Sequence, residues 1–227
     1  MNQRAEQKQA TRKHLYDIAM ALFERHGYPA INIDEIVRRS KVARGTFYFH
    51  FPTKEDVLLE AIREGERAIV ARLDALDPAT PLRAVLAEAC AGFEAAWGGR
   101  RELLPHACVV ALRRIAAVAG ERDEDLLRRG LVGHVERALV SGALSSLLPA
   151  QMLADIFLLD VFAALMAWGS TGQPPLAQVM PGVIDLFLRG AEGVGRPLVE
   201  QGGAAVAAPT PTPAPTPTRA RKPTRRR

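Results

Sequence analysis

Cysteine is scarce in this chain: 227 residues hold two, Cys90 and Cys108, which suggests neither a disulfide framework nor a metal site. No alternation of apolar and polar residues reaches strand length, so a sheet is not expected and the fold class is all-α. A serine–histidine–acid set, a glycine-rich phosphate loop and a close carboxylate pair are all missing, which leaves enzyme chemistry without residues to carry it, and no cofactor is expected. There is no leader-like segment, and the one long apolar run, residues 150–170, is short for a bilayer and interrupted by Asp155 and Asp160. A cytoplasmic protein without a membrane span is the expectation. Acid is also in short supply at both ends. Residues 1–54 hold 10 Lys/Arg against 5 Asp/Glu, and residues 219–227 hold 6 Lys/Arg and no acid, leaving 14 against 20 in the middle. A basic front on an acidic body directs any polyanion to the front.

What is present is concentrated between Asn32 and Phe51, NIDEIVRRSKVARGTFYFHF. Ile33, Ile36 and Val37 share one face of a first short helix, and Asn32 with Glu35 has the spacing of a capping box. After a tight turn, Ala43, Phe47 and Phe51 recur every four residues, so a second helix can lay an aromatic stripe on the first. Its other face carries Arg44, Gly45, Thr46, Tyr48 and Phe49. A guanidinium, hydroxyls, a flat aromatic and a glycine that admits close approach are what a helix needs to read a major groove.

The run from Ile33 to Ile62, and GTFYFHFPTKE from Gly45 to Glu55 most specifically, resembles the DNA-binding region of the TetR family of bacterial transcriptional regulators. The resemblance covers about the first third of the chain; the rest matches only in length, helical pattern and order. It implies that Arg44, Gly45, Thr46, Tyr48 and Phe49 face the groove and that Tyr48, His50 and Lys54 touch phosphate. Arg44 would fork onto guanine, with phosphate contact as its alternative, and Phe49 would meet a thymine methyl or else pack within the head. His50 equally suits the edge of the core. Three departures bear on affinity: Lys41 stands where the turn usually has glycine, Ala43 replaces the hydroxyl residue that caps the reading helix, and Ile33 replaces another hydroxyl.

Around this motif the chain divides in order. Residues 1–10 are polar and aperiodic, a flexible lead-in. From residue 11, Leu15, Ile18, Ala19, Leu22 and Phe23 make an amphipathic helix that stops at Gly27 and completes a three-helix head over 11–53. Thr53 and Asp56 form a second capping box, opening a connector helix over 54–76. Five further helices are predicted near 82–97, 101–118, 122–143, 150–170 and 176–193, within an effector-binding and dimerisation domain over 77–195, with Pro105 marking the start of its helix or a kink. The helix at 150–170 has two apolar sides, one of them Met152, Ile156, Leu159, Ala163 and Met166. With Val179, Val183, Leu186 and Gly190 of the last helix it can pair with a second copy, as in the resembling family. Residues 202–227 are a Pro/Thr/Ala-rich basic tail, read as disordered.

In the second domain Phe93, Trp97, His106, Phe157, Phe162 and Met166 are candidates to line a pocket, with Cys108 and Trp168 near them, although ordinary core explains each singly. The resemblance implies a small, largely apolar effector. It further implies a homodimer on an inverted-repeat operator in double-stranded DNA and a repressor as the commonest output. The alternative is a nonspecific DNA- or polyanion-coating protein that uses the basic head and tail.

Overall fold

A computed structural model of the chain describes residues 3–117 and 126–193. Among these residues helices alone are regular: α1 (Gln3–His26), α2 (Ile33–Ser40), α3 (Arg44–His50), α4 (Glu55–Asp74), α5 (Leu82–Trp97), α6 (Leu104–Ala117), α7 (Leu126–Val140), α8 (Ala150–Thr171) and α9 (Leu176–Gly193), with a 3-10 turn over Gly98–Leu103 between α5 and α6. The basic tail, 202–227, lies outside the described residues, as does the end of the domain at 194–195.

The head is α1, α2 and α3 closed over Leu15, Phe23, Ile36, Phe47 and Phe51, each fully buried. Its expected lead-in is corrected: α1 begins at Gln3, so 3–10 is helix with every side chain exposed. Gln, Arg, Ala, Glu and Lys are good helix formers, and the packed turns that follow supply the nucleus. An apolar period was missing because this part of the helix touches no core.

Connector α4 belongs to both halves. Val57 and Leu58 are fully buried beneath the head, and Ile69 and Leu73 are buried in the body. Its start is a complete capping box: Asp56 N–H donates to Thr53 Oγ1 at 3.2 Å and Thr53 N–H donates to Asp56 Oδ2 at 2.7 Å. At Gly92 of α5 a Cβ would lie 2.6 Å from Ile69 Cγ1. Only a glycine lets α5 approach α4 this closely.

In the body α8 is the centre, packed on α6, α7 and α9. By length and composition alone it passes for a bilayer span, which corrects the expectation that the run is too short. Leu153, Phe157, Val161 and Leu165 are nonetheless buried in the body, and Asp155 is held by Arg128 of α7, Nε to Oδ1 at 2.5 Å. The helix predicted from residue 101 starts at Leu104 instead, because Arg100 leaves helical geometry (φ −124, ψ 29) and the chain takes a 3-10 turn first. Pro105 then sits in the first turn of α6, where its missing N–H costs nothing.

Candidate nucleic-acid interface

The turn between α2 and α3 is built as the sequence implies. Asn32 caps α2, its Oδ1 accepting from Glu35 N–H at 2.9 Å. The reciprocal half of that capping box is absent, because the Glu35 carboxylate accepts from Arg38 and Arg39 instead. Those hydrogen bonds, Arg38 first, hold Glu35 below the usual carboxylate range. Ser40 is buried, with Oγ donating to Ile36 O at 2.8 Å. Lys41 takes the left-handed conformation at φ 57, an uncommon one for a residue with a side chain. Ala43 is the N-cap of α3 and offers no side-chain bond. It is exposed, so it does not extend the buried stripe of Phe47 and Phe51.

Arg44, Gly45, Tyr48 and Phe49 come together on the outer surface of α3, with Thr46 half-buried beside them. Phe49 is 67% exposed and Tyr48 40%. Lys8 of α1 lies over the Phe49 ring, its Nζ 4.8 Å from the centroid, so the helical start of α1 adds a cation at the edge of this surface. Arg44 lies beside Tyr48, Nη2 to OH at 3.4 Å, and pairs with Asp34 of α2, Nη1 to Oδ1 at 2.8 Å. Tyr48, then Asp34, raise the Arg44 pKa above its ordinary value.

His50 and Lys54 are placed elsewhere: His50 takes the alternative at the edge of the core, and the inward turn of Lys54 corrects the expectation that it faces phosphate. His50 is buried with Nδ1 unpartnered among the described residues. Burial, then Arg12 and Lys8, lowers its pKa. Its backbone carbonyl accepts from Arg12, whose guanidinium also lies 4.3 Å from the Phe51 ring and bonds Glu60 of α4 at 2.8 Å. Lys54 turns inward: Nζ donates to Tyr28 O at 2.8 Å and Ile31 O at 2.9 Å and sits 4.1 Å from the Tyr28 ring. Burial lowers its pKa. A lysine committed to two carbonyls secures the loop between α1 and α2 to the start of the connector.

A cavity of about 20 Å³ lies where α4, α5, α6 and α8 meet, room for about one water. Phe93, Trp97, Phe162 and Cys108 line it, and Glu66 is the one charged residue of its lining. His106, Phe157 and Met166 do not. His106 faces the head, its ring 5.0 Å from that of Tyr28, while Phe157 packs on Phe187 of α9 at 5.3 Å. Met166 is half-buried against the core. Helix α6 therefore has two duties: Leu104, Ala107, Cys108 and Ala111 look into the cavity, and His106 reaches the head. Burial pushes the Cys108 thiol up to about 11, so it is a small apolar wall and no nucleophile. No group of three or more metal-ligating side chains occurs among the described residues.

Sequence reasoning overlooked Asp34, Tyr28 and the aliphatic and glycine part of the cavity wall, Ile62, Gly65 and Ile69. Asp34 carries no signal of its own in the sequence; its distance from Arg44 is set by the turn, which no spacing rule supplies.

Residues 15–61 match the family model described as bacterial regulatory proteins, tetR family. Over those residues the chain is similar to the tetR family. Among curated relatives, the HTH-type transcriptional regulator AcrR of Shigella flexneri is 36% identical over 55 residues, 24% of this chain and 26% of that protein. The match thus spans about a quarter of the relative's length. Solved structures extend the likeness to the body at the level of fold. Thermus thermophilus FadR, a family repressor in complex with lauroyl-CoA, is 24% identical with a TM-score of 0.59, over 85% of this chain and 100% of that one. Bacillus subtilis FadR in complex with stearoyl-CoA is 16% identical with a TM-score of 0.58, over 78% and 98%.

Proposed function

We propose that this protein is a tetR-type regulator: a dimeric, sequence-specific DNA-binding repressor, released from an inverted-repeat operator by a small, largely apolar effector. The observation that carries the reading is the outer face of α3. Phe49 and Tyr48 are aromatic and remain exposed although each meets one neighbouring ring edge-on, His50 and Phe47 respectively, and they stand between Arg44 and Lys8. Large exposed aromatics are uncommon unless a partner covers them, and here the partner must also accept cations.

Dimerisation is supported by a second exposed apolar surface, Met152, Ile156 and Leu159 on α8 with Leu186 on α9, the last 69% exposed. A twofold pair would set two reading helices about one DNA turn, roughly 34 Å, apart. The effector reading is supported by the apolar cavity against α4. The two FadR structures hold acyl-CoA, and an acyl chain is the effector class that this wall suits. The space present takes about one water, so a chain enters only by parting α4 from α6 and α8. A ligand that prefers the parted state shifts the dimer away from its DNA spacing by its differential affinity for the two states.

The test begins with duplexes selected from a random pool by the full-length protein. The labelled selected site is then challenged with excess random duplex at moderate salt. Retention of the selected site is the expected result; equal displacement by random DNA would replace this reading with a coating protein. Lauroyl-CoA, with CoA alone as control, is the first release probe.

A further inference from the structure

One carboxylate stands within the cationic surface. Asp34 Oδ1 lies 2.8 Å from Arg44 Nη1, and the two side chains are 65% and 61% exposed. An ion pair this open adds little to folding. An acid in the first turn of α2 suits the helix dipole, but Glu35 already supplies one and is committed to Arg38 and Arg39. The fold therefore has small use for Asp34, while its charge repels the phosphates of any duplex that approaches α3.

We propose that Asp34 is a specificity-determining residue: it withholds Arg44 from phosphate and, with it, reads a guanine–cytosine pair. The inference rests on the DNA-binding reading above. A guanidinium has five N–H groups; Asp34 attracts it by charge, its Oδ1 2.8 Å from Nη1, and the Tyr48 hydroxyl accepts from Nη2 at 3.4 Å. The phenol below and the carboxylate beside it aim the guanidinium along one direction. On an arbitrary sequence a phosphate competes with Asp34 for Arg44: if the phosphate wins, the carboxylate is left unpaired beside it, and if Asp34 wins, the phosphate is left without its cation. On a matched step Arg44 donates to guanine O6 and N7 while Asp34 accepts from the cytosine N4 amino group, the one exocyclic donor that pair shows in the major groove. The acid thus penalises mismatched DNA and is compensated only on its own sequence, a repulsive element serving discrimination.

The experiment uses the full-length protein, sites selected from a random duplex pool, and the variants Asp34→Ala and Asp34→Asn, checked for unchanged helicity and oligomeric state. Binding to the selected site and to random duplex is measured at two salt concentrations. For Asp34→Ala, random DNA is expected to bind more tightly and the ratio of selected to random affinity to fall about tenfold. Asp34→Asn, which still offers an acceptor oxygen, is expected to fall between. Reselection with Asp34→Ala should lose the preference for guanine–cytosine at one position of each half-site. The inference is overturned if Asp34→Ala changes both affinities by the same factor, if it changes neither, or if reselection returns the same site. Failure of the wild-type protein to enrich any sequence is a different result: it would remove the DNA-reading proposal and this one with it.

Discussion

A Cβ placed on Gly45 would meet no atom within 4 Å, so the fold does not require glycine there. Gly45→Ala should stabilise the head by about 0.5–1 kcal/mol through helix propensity. If backbone must come close to DNA at this point, the same change weakens operator binding. Thermal unfolding and fluorescence anisotropy on one preparation separate the two effects, and a variant improved in both would mean Gly45 faces nothing. His50 carries a pH dependence. Burial, then Arg12 and Lys8, holds its pKa below the ordinary 6.5, so the unfolded chain takes up a proton before the folded head does. Stability is full above that ordinary value and falls as the pH drops through it towards the folded-state pKa. Denaturant unfolding at about pH 7.5 and about pH 5.5 should show the loss, and His50→Gln should flatten it. At this scale the sequence disclosed which side chains point outward on α3, since a four-residue recurrence of Phe47 and Phe51 fixes the buried face. It could not disclose that Lys54 turns inward, because the accepting carbonyls of Tyr28 and Ile31 lie more than twenty residues away.

Helix α4 is held at both ends by different devices. Near the head, Arg12 of α1 joins Glu60, whose carboxyl burial would raise but which Arg12 and Arg67 together keep below its usual range. A double-mutant cycle on Arg12→Ala and Glu60→Ala should give a coupling of about 1 kcal/mol, modest because the guanidinium is partly open to solvent. In the body, Gly92→Ala would drive a methyl into Ile69 and should cost about 1–3 kcal/mol. Unfolding that leaves the midpoint unmoved would show that Ile69 turns aside freely. Helix ends were well marked at Gly27 and Gly172, which both take positive φ, whereas Gly142, also at positive φ, ends α7 inside the span read as helix to 143. They were poorly marked where no chemical stop exists. The start of α1 escaped notice because a solvated helix needs no apolar period, and the 3-10 turn before α6 because Gly98 and Gly99 signal a break without its form.

The outward apolar stripes on α8 and α9 belong to no core within one copy. Leu159→Lys, with its parent 48% exposed, should leave helicity intact, and sedimentation velocity should then find monomers that no longer hold selected DNA. A dimer that survives the charge would relocate the interface. From sequence, α8 announced two apolar sides without saying which neighbour each would meet, since a helix apolar all round has no face of its own. That is why Phe93 and Phe162 met at the cavity and Phe157 went to α9. The notch at Gly92 has mechanical meaning too. With Ile69 seated in it, α4 is denied an axial slide and must tilt about that point. From Ile69 to Ile62, on the cavity wall, is roughly 10 Å of helix, and to Glu55, under the head, roughly 21 Å. A wedge that lifts α4 by one ångström at Ile62 would swing its head end by about two, so the notch acts as a fulcrum with a gain of about twofold.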